Sequence, residues 1–186
     1  MPISAPLGNL GWKATDFELT DTFGTHQTLD TVRGPNGLLL MFICNHCPYV
    51  RAIIDRICHD AGEIQAMGFG VAAIMSNDTH AYPEDSFANM QRLAKELNFA
   101  FPYLYDPTQK VARDYAAACT PDFYGFNRDL ELHYRGRLDS SGMAPATPET
   151  RRELVEAMRE IAATGQGPAD QVACMGCSIK WSNGNG

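Results

Sequence analysis

The sequence predicts an α/β sandwich: a mixed central β-sheet flanked by helices, with an N-terminal β-hairpin. Two continuous apolar runs, residues 37–43 and 69–75, have the length and composition of strands buried on both faces. Each is followed by apolar residues at helical spacing, so the chain alternates strand and helix through its middle. Upstream, residues 16–21 alternate polar and apolar side chains, the pattern of a strand with one wet face.

Taken in order, residues 16–21 and 26–29 form the hairpin around the turn Thr22-Phe23-Gly24-Thr25. After the run 37–43, Val50, Ile53, Ile54, Ile57, Ala61 and Ile64 predict a helix from Pro48 to Gly68. Ser76-Asn77-Asp78 closes the second apolar strand, and Pro83-Glu84-Asp85 opens another helix with acidic residues at its positive end. That helix buries Phe87, Met90, Leu93, Ala94 and Leu97. A short strand at 103–105, a short helix at 109–117, a strand pair at 123–126 and 130–134, and a helix at 149–163 complete the pattern. Gly165-Gln166-Gly167-Pro168 then divides a domain, 1–165, from a C-terminal tail, 166–186, whose last five residues are expected to be disordered.

With 186 residues, 45% hydrophobic and 20% charged, the chain is long enough for one full core and too apolar for disorder. A net charge of −7 without any Lys/Arg-rich run argues against nucleic acid or an anionic membrane as partner. The N-terminus lacks a basic start followed by an apolar stretch, and no segment approaches ~18 continuous apolar residues, so the chain reads as cytoplasmic, with no membrane partner. The six cysteines, Cys44, Cys47, Cys58, Cys119, Cys174 and Cys177, are too few for a disulfide-built scaffold of this length. Two pairs have C-x-x-C spacing, which in such a chain points to redox or metal chemistry.

Cys44-Asn45-His46-Cys47 falls where a strand gives way to a helix. The unpaired N–H groups and dipole at a helix start stabilise a thiolate, which makes Cys44 a candidate nucleophile. Its spacing lets Cys47 resolve a mixed disulfide, and His46 is placed to stabilise the thiolate. No cofactor is needed for such exchange.

Strand, Cys44-Asn45-His46-Cys47-Pro48, helix and a later Thr120-Pro121 together resemble the thioredoxin superfamily. The similarity is greatest to the branch holding peroxiredoxin-like AhpC/TSA proteins and TlpA-like thiol oxidoreductases, and it spans about residues 10–165. It implies a thioredoxin-like sandwich in which Pro121 is cis, faces the active-site disulfide and, with Thr120, positions substrate. Aligned on the peroxiredoxin signature, Cys47 takes the peroxidatic position, but Cys44 stands where that family has threonine and Leu40 where it has proline. The family's arginine has no motif here; Arg113, Arg128 and Arg135 are candidates. The buried aspartate of thioredoxins would fall near Leu38, so another group or water must move protons.

Cys119, next to Thr120, reads either as a third redox thiol or as a small buried hydrophobe, and Cys58 as core packing. Cys174-Met175-Gly176-Cys177 could form its own disulfide, shuttle electrons to Cys44–Cys47, or join the first pair around zinc with His46 taking part. Asn45, Asn77, Asp78 and His80 are candidates to line the site, and Tyr49, Phe123, Tyr124 and Trp181 to rim it. The leading expectation is a thiol–disulfide oxidoreductase acting on a protein or small-molecule disulfide and served by a thioredoxin-type donor. The alternatives are a thiol peroxidase with peroxide as substrate and Cys47 peroxidatic, and a thiolate protein carrying zinc or copper.

Overall fold

The structure is a computed structural model and describes residues 2–182. Apolar continuity sets β4 (Leu38–Phe42) at the centre of the main sheet, where all five residues are buried and alternate between two cores. Leu39, Met41 and Ile43 pack with residues of α2 (Pro48–Ala66) and α5 (Glu153–Thr164). Leu38, Leu40 and Phe42 pack on the opposite face with Leu29 of α1 (Leu29–Val32), with Val111 and Ala112 of α4 (Lys110–Asp114), and with Tyr115.

β5 (Gly70–Met75) runs parallel to β4, and β6 (Tyr103–Tyr105) parallel to β5. The flanks are antiparallel: β2 (Glu18–Asp21) and β3 (His26–Thr28) on one side, β8 (Asp122–Phe126) and β9 (Leu132–Gly136) on the other. The order β3-β2-β6-β5-β4-β8-β9 is the mixed, helix-flanked sheet with an N-terminal hairpin that the sequence predicts.

The boundaries differ where side chains compete for the backbone. A capping box between Thr28 and Thr31 ends β3 and starts the unforeseen α1. α5 begins at Glu153 rather than 149, because Thr150 Oγ1 accepts from Thr147 N at 2.8 Å and holds a turn there. Pro83–Asp85 is a separate 3₁₀ turn before α3 (Phe87–Glu96), and it turns Asp85 inward.

The segment read as a detached tail folds back onto the domain. β10 (Met175–Ser178) lies between β1 (Pro2–Ser4) and β7 (Cys119–Thr120) in a three-stranded antiparallel sheet. Its continuation is pinned by Lys180 N donating to Asn77 Oδ1 at 2.9 Å and Ser182 N to Gln109 Oε1 at 2.9 Å. Of the end expected to be disordered, residues 183–186 lie outside the described residues. Among the described residues no helix is long and apolar enough to cross a membrane.

Candidate active site

β4 ends as Ile43 N donates to Ile74 O at 3.0 Å, and the chain turns through Cys44-Asn45-His46 into α2. Cys47 is the N-cap of α2, with Pro48 as its first residue, so the open N–H groups of the helix start lie at Cys47. The two thiols are free and buried, and both meet Thr120. The neighbouring Cys44 thiol, with the Val50 N–H, Cys177 and the Thr120 side chain, pulls the Cys47 thiol down to about 4 against the cost of burial. The Thr120 carbonyl, 3.1 Å from the Cys47 sulfur, accepts only from the protonated form and opposes ionisation. Cys44 is shifted the opposite way by the neighbouring Cys47, by burial and by the Asp85 charge. The two shifts thus run in opposite directions, Cys47 down and Cys44 up, and the helix start lies at Cys47.

Asp85 is the residue that sequence reading missed. Fully buried, it accepts from Asn45 N at 2.7 Å, His46 N at 3.2 Å and Asn77 Nδ2 at 2.8 Å, and pairs with His46 Nδ1 at 2.6 Å. It thus fixes the loop between the two cysteines from beneath. His46 Nδ1 lies 3.9 Å from Cys44 Sγ, and its ring stacks on Tyr82. His46 is consequently bound to a carboxylate first and to the Cys44 sulfur second, both through Nδ1. His46 and Asp85 thus form a polar cluster beside Cys44, in a site with no aspartate near Leu38. Nothing local marks Asp85 in the sequence; an acidic residue after proline is ordinary at a helix start.

Thr120 touches both cysteines, with Oγ1 3.4 Å from Cys44 Sγ and its carbonyl on Cys47. The Thr120–Pro121 bond is cis, as the resemblance implies. Cys119 Sγ donates to Pro121 O at 3.6 Å, and burial and Asp122 push its thiol up to about 12, so it stays protonated. Cys174 is buried and likewise raised by burial, whereas Cys177 is half-buried and stands opposite Thr120 across the β10–β7 pair. Cys58 is half-buried on α2.

Asn45 and Asn77 reach the site through Asp85; Asp78 instead caps His80 N in an outer loop. Phe123 and Tyr124 are core residues rather than rim, and Trp181 lies against Arg113. Tyr49 does face a cleft of about 320 Å³ lined also by Ile53, Pro121, Leu138, Met143 and Cys174. Of the arginines considered for a peroxide site, Arg135 is committed to buried Asp122 at 2.8 Å and to the face of Tyr124. Arg113 donates to Thr108 O at 3.2 Å, and Arg128 sits in the turn between β8 and β9.

Cys44, His46 and Asp85 offer three metal-ligating atoms within 4.8 Å of one another, as do His59, Asp60 and Glu63 on the surface. In the first group Asp85 already serves four hydrogen bonds, which a metal would have to displace. Among the described residues no three cysteine sulfurs come within that distance, so the four-thiolate zinc site drawn from two C-x-x-C pairs is not assembled.

The sequence matches the model of the AhpC/TSA family over residues 10–138. The chain belongs to the AhpC/TSA family. It is 41% identical to an uncharacterized conserved protein from Geobacillus kaustophilus, covering 98% of this chain and 97% of that one with a TM-score of 0.92. A hypothetical protein from Sinorhizobium meliloti 1021 is 35% identical, with coverage of 97% and 99% and a TM-score of 0.91. Peroxidoxin BcpB from Mycobacterium tuberculosis shares the fold alone, at 18% identity, coverage of 82% and 92% and a TM-score of 0.57. No curated protein matches the chain. The fold is thioredoxin-like, and the AhpC/TSA membership makes this a thioredoxin-like redox protein.

Proposed function

We propose that this AhpC/TSA protein is a thiol–disulfide oxidoreductase that cycles Cys44 and Cys47 between dithiol and disulfide. The observation that carries the reading is the placement of two free thiols at the start of α2, both in contact with Thr120 of the cis Thr120–Pro121 bond. The Cys47 thiolate attacks one sulfur of a substrate disulfide, forms a mixed disulfide and releases the first substrate thiolate. Cys44 then gives up its proton beside the His46–Asp85 pair and attacks Cys47 Sγ, closing the Cys44–Cys47 bond and releasing the second thiolate. One released thiolate takes up the proton from Cys44 and the other a proton from solvent, and a thioredoxin-type dithiol returns the pair to the reduced state. The apolar cleft beside Pro121 supports a substrate with an apolar body.

A thiol peroxidase is the second reading, because the lowered thiol is the one at the family's peroxidatic position. There Cys47 would take one peroxide oxygen as a sulfenic acid, releasing the alcohol, and Cys44 would displace water to close the same disulfide. Three arginines placed elsewhere and the absence of threonine at position 44 favour exchange.

The test measures insulin disulfide reduction with dithiothreitol beside hydrogen peroxide consumption, in wild type, Cys44→Ser and Cys47→Ser. Exchange that needs both cysteines, with peroxide turnover slower by at least about a hundredfold, is the expected result. Peroxide consumption as the faster activity would move the assignment to the peroxidase, and neither activity would overturn both.

A further inference from the structure

Five cysteines, Cys44, Cys47, Cys119, Cys174 and Cys177, crowd around Thr120 and Pro121, yet four of them are closed off from solvent. Cys44 is 1% exposed, Cys47 and Cys119 0% and Cys174 3%, whereas Cys177 is half-buried. An external reductant therefore meets Cys177 before it meets the pair that carries the disulfide.

The backbone holds Cys177 there. β10 is antiparallel to β7 with Cys177 opposite Thr120, the residue whose carbonyl and hydroxyl touch the Cys47 and Cys44 sulfurs. Gly176 makes this approach feasible, since a Cβ at that position would lie 2.0 Å from Thr120 O and 2.6 Å from Thr120 C. Thr120 thus bridges Cys177 on β10 to Cys47, whose sulfur lies 3.1 Å from the Thr120 carbonyl. Cys174 is not an equivalent candidate, being buried ahead of the strand.

We propose that Cys177 is a relay thiol that takes the disulfide from buried Cys44–Cys47 as Cys47–Cys177 and presents it to an external thiol or dithiol reductant. The proposal rests on the exchange reading above. In the inward step, the Cys177 thiolate attacks Cys47 Sγ; the Cys47–Cys177 bond forms, the Cys44–Cys47 bond breaks, and Cys44 takes the proton that Cys177 gave up. This step is an isomerisation with no net oxidation. In the outward step, the reductant's thiolate attacks Cys177 Sγ and expels Cys47 as a thiolate. A second thiol of the reductant then attacks the mixed disulfide, freeing Cys177 as a thiol, so the reductant leaves oxidised and two electrons have entered the protein.

The electrostatics run in the right direction for both steps. Burial and then the bond to Cys47 push the Cys177 thiol up to about 11 in the reduced protein, so it is quiet while Cys47 is a thiolate. Oxidation of Cys47 removes its share of that rise and leaves burial as the remaining cause. The outward step expels the most acidic thiol of the cluster, and a lower pKa makes a faster leaving group.

Trypsin separates the residues conveniently, placing Cys44 and Cys47 in peptide 34–51 and Cys174 and Cys177 in peptide 160–180. Full-length Cys44→Ser, treated with one equivalent of diamide, should join these two peptides by one disulfide. The link should persist in Cys44→Ser/Cys174→Ser and vanish in Cys44→Ser/Cys177→Ser. With oxidised Cys177→Ser, reduction by dithiothreitol should slow by at least about tenfold, and Cys177→Ala should behave alike if the effect is the lost sulfur and not a misfolded strand. Absence of the cross-link while wild type forms Cys44–Cys47, or reduction of both Cys177 variants at the wild-type rate, overturns the relay alone. A wild-type protein that forms no Cys44–Cys47 disulfide overturns the relay and the exchange reading together.

Discussion

The pairs Cys44–Cys47 and Cys174–Cys177 have the same spacing, lie in the same cluster and do different things. Between Cys44 and Cys47 the chain turns from β4 into α2, which brings both sulfurs onto Thr120. Between Cys174 and Cys177 the chain is extended: Ala5 N donates to Cys174 O at 2.8 Å and Met175–Ser178 is strand. Three strand steps cover about 10 Å and place the two side chains on opposite faces. A disulfide needs its Cα atoms within about 7 Å, so the second pair does not close on itself. Its members instead face outward from each other, one into the core and one toward Cys47. The lesson is that C-x-x-C spacing specifies a redox couple only where the intervening backbone turns.

The largest expected effect tests the first pair. Cys47→Ser should abolish exchange, a loss of at least about a thousandfold, measured by single-turnover reaction with oxidised glutathione; substantial activity left in this variant would break the assignment of Cys47 as attacking thiolate. Asp85→Asn removes the buried charge under Cys44 while keeping the shape. Resolution of the mixed disulfide should slow by about a hundredfold and its pH profile should change, which mass-spectrometric accumulation of the glutathione adduct would reveal.

A third test addresses the second pair's placement. Gly176→Val should force β10 off Thr120, cost about 1–3 kcal/mol of stability, and leave Cys177 labelled by a maleimide at a rate independent of the Cys47 oxidation state. Thiol titration separates the cysteines further. Alkylation of Cys47 by iodoacetamide should be flat between pH 8 and 6 and fall only as pH drops toward about 4, since its thiolate persists above its lowered pKa. Alkylation of Cys177 should instead rise with pH up to about 11. The smallest effect belongs to Cys174→Ala, which should change exchange by less than about twofold and cost about 1 kcal/mol of stability through the lost buried sulfur. A large activity loss there would erase the distinction between the two members of the second pair.

Much of this was legible in the residues themselves. The runs 37–43 and 69–75 announced the central strands because a strand buried on both faces has no polar positions to spare. Cys44, Cys47, Thr120 and Pro121 do meet, and the resemblance foretold the cis bond. Asp85 was read as a helix-start acid because local pattern cannot show a side chain turning inward to accept from Asn45, His46 and Asn77. Arg135, a candidate for binding peroxide, is half of a buried ion pair with Asp122, a partner 13 positions away on the neighbouring strand. The opposite shifts of Cys44 and Cys47 also escaped sequence, since they depend on burial and on neighbours distant in the chain.

The sequence by itself determined the α/β layering, the junction that carries the first cysteine pair and the family, because hydrophobic periodicity and motif spacing are local properties of the chain. Only the tertiary structure decided how the two thiols are shifted, what lies beneath Cys44 and where Cys177 comes to rest. Those depend on groups 40 to 130 residues away, namely Asp85 against Asn45 and Cys177 against Cys47, brought together by strand register and burial. Charge and proton affinity respond to neighbours in space, and the neighbours are set when the chain closes on itself.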